Sequence, residues 1–317
     1  MSKITICTTT YNRENLLQRT VNSVLSQTFN DFDYLIINNG STDNTQLMID
    51  NICKEDKRIR FVTHPFNSKD TAVSRERWQE IKQGITTPYY MKIDDDDYME
   101  HNTVETLYNL IRKHDADVAC VGSKCVFPDG TMKDKFVFNG MYVYNRVEAM
   151  TEMLKREKIN AAIGAKLLRT NVWFKDIDYP DVSRLRDIHI SYRRMNNVNK
   201  MVVSGEPLYY FSRHDKNMSG LDSSEQITPE KLKQHLEANT MRTQWLSEHM
   251  PEIKDYVFYC ELSFMISLYE RINRLDVKDC FRIADEMKDT LIRNMAFLEE
   301  HNFCSEREKG ILKNILS

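Results

Sequence analysis

Residues 94–97 are four consecutive aspartates, and they follow the apolar run Tyr89-Tyr90-Met91-Lys92-Ile93. Two unit charges 4 Å apart repel by about 1 kcal/mol in water and by several times that near a protein surface. A chain that keeps four carboxylates together at a strand end is expected to set another charge against them. Carboxylate oxygens suit hard divalent cations, and Mg2+ takes only one or two of them from a protein. By itself, such a run is more plainly read as a solvated acidic loop, or as acids at the start of the next helix.

Two more polar turns stand at equivalent places. Thr8-Thr9-Thr10-Tyr11-Asn12-Arg13 closes the β-branched segment 3–10, and the segment 33–45 runs as a strand into Asn38-Asn39-Gly40-Ser41-Thr42-Asp43. The elements around these turns alternate. Residues 14–27 place Leu16, Leu17, Val21, Val24 and Leu25 at helical spacing. A helix over 46–54, a strand over 58–64, a helix over 71–83 and a strand over 88–93 follow. Residues 101–114 read as a helix with Asn102 as N-cap and Glu105 three positions on, and 116–122 as a strand. This alternation predicts a mostly parallel, doubly wound sheet. Ligands of such sheets bind outside the carboxyl ends of the strands, so the three turns are expected to converge on one crevice.

Beyond residue 123 the pattern changes. A hairpin is expected around Pro128-Asp129-Gly130, a helix over 145–157, a strand over 165–174, a helix over 182–195, and strands on either side of Pro207 within 201–220. The remainder is helical. Thr228-Pro229-Glu230 and Ser305 with Glu308 are helix starts. The stretch 252–274 is apolar on nearly every side, which predicts a buried packing helix or a subunit interface. The boundary is placed near residue 221, giving an α/β domain over 1–220 and a helical region over 221–317.

Composition excludes several classes. The 317 residues are 41% hydrophobic and 29% charged, with a net charge of −3, so nucleic acid is not the expected partner. Seven scattered cysteines offer no CxxC pair, which points to reduced thiols rather than a zinc site or a disulfide framework. No signal-peptide pattern opens the chain and no run reaches the roughly 20 apolar residues of a membrane span.

The motifs "CTTTYNR", "INNGSTDNT" and "IDDDD", in that order, resemble the family 2 glycosyltransferases of the GT-A fold over about residues 3–215. The resemblance implies a Rossmann-like nucleotide-binding half with a smaller acceptor-side sheet, here followed by a C-terminal α-helical extension. It also implies sugar transfer from a nucleotide-sugar donor with inversion, and Mn2+ or Mg2+ at a DxD motif. Asp94 and Asp96 match that pair, with Asp96 on the metal and Asp94 on ribose or a bound water. Alternate residues of an extended segment face one way, which is how the two would share a ligand. Asp95 is placed with the nucleotide-sugar residues, and its side chain, like that of Asp97, is expected to turn from the metal and cap the following turn. Thr9, Thr10, Tyr11 and Arg13 are expected at the nucleotide, with the ring of Tyr11 beside the base and Thr9 where the family usually has Pro. Asn12 would also serve as a helix N-cap. Asn38 and Asn39 replace the family's paired acids, and the Asn39 carbonyl remains able to accept from uracil. Ser41 and Asp43 are expected to cap the next helix. Arg75 is matched to a base-contacting Arg, with Arg77 competing.

An inverting transfer needs a base for the acceptor hydroxyl. The resemblance places it at Asp187, with Arg186 standing where Glu is common and Asp181 as the alternative. A salt bridge of Asp187 to Arg184 or Arg186 is the structural alternative. His214 is matched to a residue that ligates the metal or meets the diphosphate. The leading expectation is therefore a UDP-hexose glycosyltransferase acting on a growing surface polysaccharide, glycolipid or protein-linked glycan. It is expected in the cytoplasm or at the inner membrane face, as a homo-oligomer joined through the C-terminal helices. A sugar nucleotidyltransferase and a catalytically silent scaffold are the competing classes. The first would need a Gly-rich triphosphate loop, and the N-terminal turn has no glycine.

Overall fold

The computed structural model describes residues 2–68, 71–159, 161–175, 185–213, 221 and 223–316, with the side chains at 71, 72, 74, 186, 187 and 316 left aside. In chain order the first elements are β1 (Ile4–Thr10), α1 (Leu17–Leu25), β2 (Phe32–Asn38), α2 (Thr45–Glu55), β3 (Ile59–Thr63), α3 (Thr71–Gln83) and β4 (Tyr89–Lys92). They are followed by β5 (Tyr98–Met99), α4 (Thr103–Lys113), β6 (Val118–Val126), β7 (Met132–Lys135), β8 (Met141–Asn145), α5 (Arg146–Lys155), β9 (Lys166–Arg169) and α6 (Thr170–Trp173). Then come α7 (Arg186–Met195), β10 (Lys200–Ser212), α8 (Pro229–His249), α9 (Lys254–Arg274), α10 (Phe281–Arg293), α11 (Met295–Glu300) and α12 (Glu306–Leu316).

The strands form one sheet of order β3-β2-β1-β4-β9-β6-β10-β5, with β7 on β6 and β8 on β10. The parallel half is β3-β2-β1-β4. The rest is mixed, because β9 runs antiparallel to both β4 and β6 while β6 and β10 are parallel. The chain leaves β1 toward β2 and β3, then returns to the other side of β1 as β4. The crevice between the carboxyl ends of β1 and β4 is thus a topological switch point, where open α/β sheets bind ligands. The register aligns Thr10 with Asn38 and Asn38 with Thr63, so three strands end level with one another.

The β-branched and aromatic residues of β1 and β2 are almost all buried, because helices cover both sheet faces. Leu17, Val21 and Val24 on α1 and Val104, Leu107 and Ile111 on α4 each form one apolar stripe in the same core as Ile4, Ile6, Tyr34 and Ile36. Expectation and structure part at α4. Asn102 makes no capping bond, and Glu105 accepts instead from the Thr28 hydroxyl at 2.7 Å. The strand expected over 165–174 stops at Arg169, where the Thr170 N–H donates to the Pro88 carbonyl at 3.0 Å and one helical turn begins.

Two compact units divide the chain. One comprises Met1–Ser183 with Arg193–Asp215, the other Arg184–Tyr192 with Lys216–Ser317. Residues 186–192 of α7 therefore group with the helical unit, whose start the sequence places near residue 221. In that unit α9 is flanked by α8, α10 and α12. Leu268 and Ile272 enter one cluster with Leu232 and Met287, while Leu262 and Ile266 enter another with Leu298 and Leu312. The apolar circumference of α9 is used within the unit. No helix among the described residues is long and apolar enough to cross a membrane.

Candidate active site

The turn after β1 and the turn after β2 are stitched together. Asn12 has a left-handed φ of 53°, a conformation its short polar side chain tolerates. Its Oδ1 accepts from the Thr42 N–H at 2.8 Å and its own N–H donates to Ser41 Oγ at 3.0 Å. The Arg13 N–H donates to Thr45 Oγ1 at 3.0 Å, and the Asn44 N–H donates to Glu14 at 3.0 Å. The N–H of Asn39 reaches back to the Thr10 carbonyl at 2.9 Å. Asn12 is thus not a helix cap, since α1 begins five residues later. Asp43 does accept the Thr45 N–H at 3.0 Å at the start of α2, whereas Ser41 turns to Asn38.

Asn38 is buried and fully engaged. Its Oδ1 accepts from the N–H and hydroxyl of Ser41 at 3.0 and 2.6 Å, and its Nδ2 donates to Gln46 Oε1 at 2.7 Å. That last bond requires a donor, which a carboxylate lacks. Asn39 beside it is half-buried and faces no such demand. Gly40 has φ +75° and lies so close to Phe66 that a Cβ would come within 2.5 Å of that residue's Cα. The Phe66 segment is held there by Arg77, which donates to the Phe66 carbonyl at 2.9 Å and lies 4.7 Å from its ring centroid. Arg77 is thereby a strut of this wall. Arg75, on the same helix, is half-buried.

The aspartates do not continue β4 as an extended segment. The Asp97 N–H donates to the Asp94 carbonyl at 3.1 Å, which closes a turn with Asp95 and Asp96 at its corner. Asp94 and Asp96 are therefore not alternate residues of an extended segment, and a turn sets their directions instead. Their repulsion is met residue by residue. Lys92 pairs with Asp94 at 3.0 Å, and Arg13 with Asp95 at 3.5 Å. Burial pushes the Asp95 carboxyl up, against the pull of the Thr10 hydroxyl and the Arg13 guanidinium. Asp97 is only 3% exposed, accepts from the Tyr209 phenol at 2.8 Å and from the Ser212 N–H at 2.9 Å, and does not cap a turn. Burial, and next the charge of Asp94, drive its carboxyl well above the usual range.

Two elements clamp this turn from behind. On α1, Thr20 donates to the Asp97 carbonyl at 2.7 Å and Arg19 to the Asp96 carbonyl at 2.7 Å. On β10, the Ser212 hydroxyl donates to that same Asp96 carbonyl. Arg19 and Ser212 were not foreseen from the sequence, because no motif marks them and they are 193 residues apart.

Thr9, Thr10, Tyr11, Arg13, Asn39, Asp94, Asp95 and Asp96 thus gather at the carboxyl ends of β1, β2 and β4, with the Tyr11 ring 39% exposed. Asp187 belongs to α7, but its side chain is outside the description, and Asp181 and His214 lie outside the described residues. Among the described residues no group of three or more His, Cys, Asp or Glu is arranged to hold a metal. The corner aspartates supply oxygen donors only. That set fits Mg2+ or Mn2+ completed by phosphate and water oxygens, and does not fit a closed zinc site.

Comparison with known proteins gives a consistent result. The sequence model of Glycosyl transferase family 2 matches residues 5–171. The glycosyltransferase GlyG of Streptococcus pneumoniae is 25% identical over 218 residues, 66% of this chain and 70% of GlyG. The chondroitin synthase of Pasteurella multocida is 33% identical over 165 residues, and the match spans only 15% of that longer protein. The putative teichuronic acid biosynthesis glycosyltransferase TuaG of Bacillus subtilis is 29% identical over 134 residues, 42% of this chain and 52% of TuaG. Among solved structures, S. aureus TarS 1-349 in complex with UDP superposes with a TM-score of 0.58 at 16% identity, covering 88% of this chain and 91% of that one. TarS 1-349 in complex with UDP-GlcNAc gives 0.56 at 17%, covering 99% and 79%.

Proposed function

This chain is a member of glycosyl transferase family 2, and from that premise we propose that it moves a hexose from a UDP-sugar to a hydroxyl of a growing glycan, with inversion and with Mn2+ or Mg2+ bound. The observation that carries the reading is the Arg13–Asp95 ion pair at 3.5 Å. It joins the turn after β1 to the aspartate turn after β4, across the switch-point crevice where a nucleotide belongs.

In this reading the half-exposed Tyr11 ring lies along the uracil face, and the side-chain carbonyl of Asn39 accepts from the uracil N–H. Asn38 has a structural duty, so its identity does not argue for a silent protein. Arg13 holds Asp95 against the nucleotide wall. Asp94 and Asp96 are the residues that would hold the metal, Asp96 directly. When bound, the ion offsets the carboxylate repulsion and neutralises the departing diphosphate. Asp187 takes the proton of the acceptor hydroxyl as that oxygen attacks the anomeric carbon from the face opposite the diphosphate. Asp181 is the alternative base, and His214 a further group toward the metal or the diphosphate. The acceptor is a surface polysaccharide, a glycolipid or a protein-linked glycan, and the similarity to a putative teichuronic acid biosynthesis glycosyltransferase supports the first of these.

A panel of nucleotide sugars, incubated with the full chain and Mn2+ and then with EDTA, tests the donor class. UDP release from one UDP-hexose, suppressed by EDTA, is expected. Equal release with EDTA, or release only from GDP- or CMP-sugars, would overturn this reading.

A further inference from the structure

The backbone of the corner residue Asp96 is held from two directions. One Nη of Arg19 donates at 2.7 Å to the Asp96 carbonyl and at 2.7 Å to Ser212 Oγ. The Ser212 hydroxyl in turn donates to that Asp96 carbonyl. The three groups form a closed triangle linking α1, the aspartate turn and the end of β10. Each corner is braced. The Arg19 guanidinium lies 4.5 Å from the centre of the Tyr98 ring, and Tyr98 stacks on Tyr210 at 4.5 Å with planes 4° apart. The Tyr210 phenol donates to Glu100 at 2.5 Å, and the Ser212 N–H is fixed to Asp97 at 2.9 Å.

A carbonyl that accepts from both a guanidinium and a hydroxyl is fixed in direction, and so is the peptide that follows it. The side chain of a turn-corner residue departs from that backbone, so its aim follows from the same bonds. We infer that Arg19 and Ser212 are positioning residues that set the aim of the Asp96 carboxylate before any ligand arrives. The inference rests on the proposed role of Asp96, and it assigns to the first helix and the last strand of the catalytic unit a task that no motif in either marks. Arg19 has a second possible effect, as a plain positive charge near a diphosphate. Ser212 has none, which makes it the discriminating position.

The test uses the full chain with Ser212→Ala and Arg19→Gln. UDP affinity is measured by calorimetry with Mn2+ and with EDTA, and amide exchange is followed at Asp97 and Tyr98 without ligand. The latch predicts faster exchange at those amides in both variants. It also predicts a loss of about threefold to tenfold in Mn2+-supported UDP affinity, the range an ordinary hydrogen bond supports, with EDTA affinity unchanged. Unchanged exchange in Ser212→Ala, or a loss in Arg19→Gln that is equal with and without Mn2+, would overturn it. If wild-type UDP binding shows no Mn2+ dependence, the metal reading fails instead, and the exchange data still decide whether the latch exists.

Discussion

The phenol of Tyr209 donates a 2.8 Å hydrogen bond to a carboxyl oxygen of Asp97, 112 residues away, and both groups are buried. With the Ser212 N–H on its other oxygen, Asp97 is the pin on which the aspartate turn is seated. Asp97→Ala leaves a buried phenol and a part-buried N–H unpaired, at about 1–3 kcal/mol for a buried group. Asp97→Asn keeps an oxygen for Ser212 and offers the phenol an amide donor, so it should cost less. Urea unfolding of the two variants checks this, and the account requires the alanine variant to be the weaker.

Gly40 is the second structural pin. Its left-handed φ and its contact with the Phe66 backbone leave no room for a side chain. Gly40→Ala is expected to cost about 1–2 kcal/mol for the φ alone, with more from displacement of the Phe66 segment. Thermal unfolding reads the loss of stability, and UDP calorimetry should show weaker binding because the Asn39 wall moves with it.

The helical unit carries a pH-dependent contribution at Glu308. Burial acts to raise this carboxyl, but hydrogen bonds from Ser263, Ser305 and Tyr259 outweigh it and hold the group below its ordinary 4.5. Tyr259 donates at 2.9 Å, and the N–H and hydroxyl of Ser305 at 2.8 and 2.7 Å. A group whose folded value is depressed contributes stability above its unfolded value, and that stability is lost as pH falls through the folded value. Stability of the wild-type chain should therefore decline below about pH 4.5 more steeply than that of Glu308→Gln. Equal slopes in acid titrations of the two would remove Glu308 from the account.

What the sequence disclosed was mostly local. The β-branched runs of β1 and β2 and the leucine stripe of α1 need only near neighbours to be read. The start of α8 at Thr228 and the Ser305–Glu308 box are equally local, and Ser305 makes the bonds expected of it. The turns that build the site were legible by type, but their wiring was not. Asn102 had the right neighbour for a capping box, yet Thr28 drew Glu105 away from it. Asp94–Asp97 were read as extended because they follow a strand, while bonds from α1 and β10 fold them into a corner. Such contacts between distant segments leave no periodic trace, and Arg19 could not be told from any other exposed arginine of an amphipathic helix.

The proposed base separates binding from chemistry. Asp187→Asn should leave Mn2+-supported UDP affinity within about twofold, while transfer falls by roughly 10²–10⁴, the usual loss for a general base. Transfer assays beside UDP calorimetry measure both quantities. Near-normal transfer by Asp187→Asn together with loss in Asp181→Asn would move the base to the alternative residue.

Asp96 and the nucleotide are the centre of the proposed site. Calorimetry of UDP with the wild-type chain and with Asp96→Asn, each in Mn2+ and in EDTA, is the most direct measurement. The account predicts that Mn2+ tightens UDP binding to the wild type by at least about tenfold, or roughly 1.4 kcal/mol. It predicts that Asp96→Asn loses most of that gain while its affinity in EDTA stays the same. Equal UDP affinity of the wild type in Mn2+ and EDTA, or an Asp96→Asn variant that responds to Mn2+ as the wild type does, would contradict it.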